Sequence, residues 1–302
     1  MKPVFYILLL LSVNLLSYGQ NNRRTADKVL RSFTADMSSL ASILQLPGMC
    51  VGVVKDGRLI FSQAFGYANL EKKISLTTDY MFQIASVTKT FTANMMMQYE
   101  QEGKANIDDY ALNYRFIDIR FGYPYNVDAN AKVRHFLSHT SEDGPGHSFV
   151  YNGQRFNYIY GVFEKAGGYT PSVDAYSAEV EKRILTPLGM THSITGFPDS
   201  RSDTLFSHIA TPYVFDTSKK VFVEDTFNYK WTRAYPATGI IPTIGDLAKY
   251  AASYDKRTLI ADSSYQKLTT PTRLDDGSIS PYGIGWFTEC FAGKKIHWHY
   301  GH

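Results

Sequence analysis

Residues 82–96 read FQIASVTKTFTANMM, with Ser86 and Lys89 three apart where an apolar, strand-like run gives way to a helical one. The periodicity predicts that the helix holding Lys89 runs to Glu102. It puts Val87, Phe91, Met95 and Tyr99 on one side and Gly103 where a C-terminal glycine belongs. One helical turn places Lys89 on the same face as Ser86. The first amides of a helix are unpaired, and its dipole favours negative charge there. A lysine shielded at such a place gives up its proton more readily, and a serine hydroxyl needs that help to attack a carbonyl. The plainer reading of these two residues alone is a serine capping a helix beside a solvated lysine. Ser-x-x-Lys also occurs at Ser253–Lys256 and Ser264–Lys267. Of the three, only Ser86 stands at a strand-to-helix junction.

Working outward, residues 24–46 carry Val29, Leu30, Phe33, Met37, Leu40 and Leu44 at helical spacing, and Pro47-Gly48 ends that run. Residues 49–54 and 59–65 are β-rich and joined by Lys55-Asp56-Gly57-Arg58, whose Asp-Gly is a strong hairpin signal. Helices are predicted at 133–137, 155–166 and 173–185, an irregular aromatic and polar lobe at about 200–235, and another helix within 239–254. Residues 284–291 and 295–300 read as strands. Strand-forming stretches thus lie at both ends with helical material between them. The expected fold class is α/β (α+β): an antiparallel sheet flanked by helices, with an inserted all-helical domain. The sheet part is placed at about 24–79 and 236–302 and the insert at about 80–235. No repeat of 20 to 50 residues suggests a solenoid.

Several ordered stretches resemble one family. "LPGMCVGVVKDGRLIFSQAFGYANLEKK", "QIASVTKTFTA", "QEGKANIDDY", "VRHFLSHTS", "LTPLGM" and "PATGIIPTIGDLAKY" are similar, in order and spacing, to the serine β-lactamase and penicillin-binding protein family in its class C and esterase-like branch. The likeness runs from about Leu46 to the last residue. It implies that Ser86 is the acylated nucleophile and Lys89 its proton-handling partner. A Tyr followed two places later by Asn, the family's second motif, is matched at Tyr151, which would be the general base or a proton relay. The base role needs a phenolate stabilised by nearby cations. Gly153 stands where the Asn usually is, so a side-chain contact to a substrate amide is missing. The third motif would be His299-Tyr300-Gly301, with His299 as a substrate anchor weaker than a lysine, because imidazole loses its charge near pH 7. The next residue, His302, would supply the second oxyanion-hole amide. Further strands and a helix follow this point in the family, so the chain is expected to be cut short at its C-terminal end.

The resemblance implies an exported serine hydrolase acting through an acyl-enzyme on an ester or amide: a cell-wall D-amino-acid peptide, a small ester or a β-lactam. The alternative is a catalytically degenerate binding or sensing module on the same scaffold. No cofactor is implied, and the expected partner is a small-molecule or peptidoglycan-derived substrate. A zinc site at His297, His299 and His302 is not expected, because Gly301 replaces the aspartate of the spaced-histidine motif and no second cluster accompanies it.

Composition narrows the partners. The 302 residues carry a net charge of +3 with Lys and Arg scattered among acids, which is not the basic stripe of a nucleic-acid binder. Residues 1–19, MKPVFYILLLLSVNLLSYG, have one Lys, an apolar stretch and small residues where a signal peptidase cuts. A cleaved signal peptide and a periplasmic or secreted protein are expected, with residues 20–302 as the hydrolase domain. Ser12, Asn14 and Ser17 interrupt the apolar run, so no stable membrane anchor is expected. Cys50 and Cys290 could pair in an oxidising compartment, but cysteines in apolar strands more often stay reduced.

Overall fold

A computed structural model describes residues 28–114, 127–170 and 174–302. The expected signal peptide, the first turn of the 24–46 helix and residue 173 lie outside the described residues. The chain divides into two units, one of residues up to Val51 together with Gln63–Thr77, the other of Gly52–Ser62 and Thr78–His302.

The smaller unit holds helix α1 (residues 28–43) and most of a three-stranded sheet of order β1-β2-β3, formed by β1 (Gly48–Lys55), β2 (Arg58–Asn69) and β3 (Ile74–Ser75). Its turn from helix to strand is tight. Tyr67 N–H donates to Pro47 O at 2.8 Å, and a Cβ at Gly48 would collide with Tyr67 O. In the larger unit the β1–β2 turn has both Asp56 (φ 51°) and Gly57 (φ 66°) left-handed, as a two-residue hairpin requires. Gly57 N–H is held by Asp255 Oδ2 at 3.0 Å.

The rest of the larger unit is built around α2 (Thr88–Gln101), whose residues from Thr88 to Met97 are all buried. Gly103 (φ 67°) follows its C-terminus, and Lys104 N–H closes on Tyr99 O at 3.0 Å. Short helices α3 (Val133–Leu137), α4 (Gly153–Phe156) and α5 (Tyr160–Gly167) pack in the same core. Next, α6 (Ala175–Val180) runs through a π-helical turn at Glu181–Leu185 into α7 (Thr186–Leu188). Buried Glu179 accepts from Tyr99 and Arg183, and Arg183 also bonds Glu102 at 2.7 and 3.2 Å. This network ties the end of α2 to α6.

Strand β4 (Ser193–Thr195) pairs antiparallel with β7 (Ile240–Pro242), in register Ile194↔Ile241. The expected irregular lobe contains a hairpin of β5 (Tyr213–Asp216) and β6 (Val221–Glu224). Helices α8 (Ile244–Lys256) and α9 (Asp262–Thr269) precede the antiparallel pair β8 (Phe287–Phe291) and β9 (Lys294–Trp298). Cys50 and Cys290 are both free. Among the described residues no helix is long and apolar enough to cross a membrane.

Candidate active site

The segment leading to Ser86 is laid against β7: Phe82 N–H donates to Pro242 O at 2.9 Å and Ile84 N–H to Ile240 O at 3.1 Å. Ser86 sits in a 3₁₀ turn, Ala85–Val87, that runs directly into α2, and Ala85 takes a left-handed φ of 44°. Ser86 makes no cap for the helix; the N-cap position is Val87. The plainer reading fails on the lysine too, because Lys89 is 0% exposed.

Lys89 Nζ donates to Ser86 Oγ at 2.7 Å and to Ala237 O at 3.3 Å. Burial pushes the amine down from its ordinary value to about 7. The Ala237 carbonyl is fixed from several sides. Thr92 Oγ1 donates to Pro236 O at 2.7 Å, Ile240 N–H to Thr88 Oγ1 at 3.3 Å, and Ala237 N–H to Asn157 Oδ1 at 2.8 Å. The polar residues inside α2 therefore hold the loop that orients the lysine. Neither of the other two Ser-x-x-Lys matches makes this contact. Ser253 Oγ donates to Tyr250 O within α8, and Ser264 Oγ to Gln101 Oε1.

Tyr151 is brought to the same place. Its ring lies 4.9 Å from Lys89 Nζ and stacks on Tyr300 at 5.6 Å. Burial pushes its hydroxyl up to about 12, even though Ser86 pulls the other way. The Ser86 contact falls short of normal hydrogen-bond geometry, so Tyr151 Oη is buried without a partner. The phenol is thus the form present near neutrality. Of the two roles expected for Tyr151, this environment suits the relay and disfavours a standing phenolate.

The segment after β9 completes the constellation. Gly301 passes so close to Ile84 O that a Cβ there would collide with it, and His302 lines a cavity of about 470 Å³ with Ser86, Lys89 and Gly153. His299 Nδ1 donates to Tyr300 O at 2.7 Å, and Nε2 accepts from Tyr282 Oη at 2.8 Å. Burial lowers its pKa to about 4. Its ring is neutral and presents no free N–H to a ligand in this arrangement. At Gly153 an added Cβ would meet Lys89 Nζ at 3.7 Å, so the position faces the pair but offers no amide. Neighbouring Asn152 points elsewhere: it caps α4 through Gln154 and Arg155 N–H and reaches Glu142 at 3.0 Å.

Four neighbours escaped the sequence reading. Asn157 and Ala237 are described above. Asp225 lines the cavity from beyond β6. His139 is buried 4.3 Å from the Tyr151 ring and accepts Asn152 N–H at Nδ1, and its Nε2 has no partner. His139 and Ala237 lie inside quoted motifs, so a signal existed for them; Asn157 and Asp225 had none. A larger cleft of about 830 Å³ lies along α8 by Leu59, Leu188 and Asp246. Among its described lining residues no hydroxyl bonds a lysine amine as Ser86 bonds Lys89, so the smaller cavity is the candidate site. Among the described residues no three His, Cys, Asp or Glu side chains converge as metal ligands would.

The model of the family described as Beta-lactamase matches residues 31–302. A D-aminopeptidase of Gluconobacter oxydans (strain 621H) is 24% identical over 300 residues, covering 89% of this chain and 55% of the relative. Penicillin-binding protein 4* of Bacillus subtilis (strain 168) is 23% identical, covering 76% and 57%. The chain thus spans about half the length of the curated relatives it matches. Among solved structures, the octameric penicillin-binding protein homologue from Pyrococcus abyssi superposes with a TM-score of 0.73 at 23% identity, covering 90% of this chain and 68% of the other. The D-amino acid amidase from Ochrobactrum anthropi SV3, complexed with D-phenylalanine, gives 0.64 at 18% identity, covering 84% and 80%. At these identities the solved structures carry the fold, mixed α and β with antiparallel sheets.

Proposed function

Because the chain belongs to the Beta-lactamase family, we propose that it is a serine hydrolase in which Ser86 forms an acyl-enzyme with an ester or amide. The observation that carries this reading is the 2.7 Å contact from a wholly buried Lys89 to Ser86 Oγ. An amine with a pKa of about 7 is partly neutral at neutral pH, so it can accept the hydroxyl proton as Oγ attacks the carbonyl. The tetrahedral oxyanion then meets the backbone amides of Ser86 and His302, a donor pair of the kind whose loss costs about 100- to 1,000-fold per donor. Tyr151, protonated and beside Ser86, relays the proton to the leaving group. Water releases the acid by the reverse order of proton transfers.

The substrate is proposed from the same classes as at the outset: a D-amino-acid peptide, a small ester or a β-lactam. The names of the D-aminopeptidase and amidase relatives support the first. Export through residues 1–19 is part of the proposal and is tested by the N-terminal sequence of the mature protein. The test of the hydrolase reading is a fluorophosphonate probe followed by peptide mass mapping. The adduct is expected on Ser86 and absent in Ser86→Ala; an adduct elsewhere, or none, overturns it. The binding-module alternative draws on Gly153, which lacks the side-chain amide. Labelling at Ser86 without turnover of any of the three substrate classes would favour it.

A further inference from the structure

The cavity over Ser86 has an uneven charge lining. Among the described residues that line it, Asp225 is the only acid. Its position is fixed: Asp225 N–H donates to Pro212 O at 2.9 Å, Oδ1 accepts from Phe227 N–H at 3.0 Å, and Oδ2 accepts from Asn228 Nδ2 at 2.7 Å. A carboxylate has about four acceptor sites, so both oxygens keep room for another donor. Adjacent Glu224 is paired with Arg201 at 3.2 Å, whereas Asp225 has no ion-pair partner among the described residues. Phe227 and Trp231 line the same cavity and meet edge to face, their centroids 6.3 Å apart. Aromatic faces near a carboxylate suit a cation, as the chain's own Lys230 Nζ, 5.4 Å from the Phe227 ring centroid, already shows.

Among the described residues that line the cavity, the side chains that can carry positive charge are Lys89 and His302. Lys89 Nζ is engaged by Ser86 and Ala237 O, and His299 uses both ring nitrogens inside the protein. A substrate carboxylate would find no free side-chain cation from the third motif, and a substrate ammonium would find a half-buried carboxylate with spare acceptors. We propose that this cavity selects acyl substrates carrying a free, cationic amino group, and that Asp225 is the residue that binds it. The inference rests on the hydrolase reading and narrows its substrates to unblocked aminoacyl esters or amides.

The test compares two probes, an aminoalkyl fluorophosphonate and its N-acetylated, neutral counterpart, which differ in charge and by one acetyl group. The readout is the ratio of their second-order rate constants for labelling Ser86. The wild-type protein is expected to prefer the cationic probe by about 10-fold or more, the scale of one charge pair at the edge of a pocket. In Asp225→Asn the ratio is expected to fall to about 1, and Asp225→Glu should restore much of it. A ratio near 1 in the wild type overturns the proposal without any variant, which covers the case in which Asp225→Asn does not fold. A ratio unchanged in folded Asp225→Asn overturns it equally. No labelling by either probe defeats the hydrolase reading itself, and this inference with it.

Discussion

Lys89 is a wholly buried amine, and the proposed chemistry turns on it. Its pKa falls from 10.5 to about 7 on burial, so between those values the unfolded chain binds more protons than the folded one. The destabilisation is therefore complete below about pH 7 and is relieved as the pH rises towards 10.5. Lys89→Met keeps the shape and removes the desolvated amine. It is expected to raise the melting temperature, by the equivalent of about 1–4 kcal/mol, and to abolish Ser86 labelling. A variant less stable than the wild type would show that the amine's bonds to Ser86 and Ala237 outweigh its burial. Tyr151 separates chemistry from packing in the opposite way, because its ring is stacked among Phe287, Tyr300 and His139 while its hydroxyl has no partner. Tyr151→Phe is expected to leave the melting temperature within about 0.5 kcal/mol of the wild type, since no hydrogen bond is lost. Turnover should fall by about 100-fold, the scale of a lost proton relay. Near-normal turnover in this variant would make Tyr151 a packing residue.

At the scale of elements, α2 shows both what the pattern of residues conveys and what it hides. Its limits and its closing glycine were readable, because apolar spacing and Gly103 mark them locally. Its burial on every side was not. Thr88, Thr90, Thr92 and Asn94 are all buried, and three of them bond groups far along the chain: Thr88 to Ile240, Thr92 to Pro236 and Asn94 to Tyr254. Polar residues whose partners lie about 150 positions away cannot be told from surface ones by periodicity. The β5–β6 hairpin was missed for a different reason: its turn, Thr217 to Lys220, has no glycine, and Lys220 takes the left-handed φ of 55° instead. Gly285 is a position where the packing of α2 can be tested directly. It has φ 75°, and a Cβ there would stand 2.5 Å from Ala93 Cβ and 3.0 Å from Lys89 O. Gly285→Ala is expected to cost about 2–4 kcal/mol in urea unfolding, from backbone strain and overpacking together. A loss below about 0.5 kcal/mol would mean that the β8 approach is not pressed against the helix as described.

For the molecule as a whole, the order of motifs along the chain carried more than any one of them. Ser86, Lys89, Tyr151, Gly153, Gly301 and His302 are scattered over more than two hundred residues, yet the structure gathers all six around the Ser86 cavity and its walls. Family likeness could place those residues because it compares whole constellations. It could not show that His299 turns both nitrogens inward, or that Asp225 faces the same cavity, since each depends on side-chain direction. The central claim is that a buried, readily deprotonated Lys89 makes Ser86 a nucleophile. Its most direct test is the rate of Ser86 acylation by a neutral fluorophosphonate measured from about pH 5 to about pH 11.5, which spans both lysine values. The rate is expected to rise through an inflection near pH 7 and level off above it, with the inflection lost in Lys89→Ala. A profile that is flat across neutrality, or one whose inflection stays near the 10.5 of an ordinary lysine, would contradict the account.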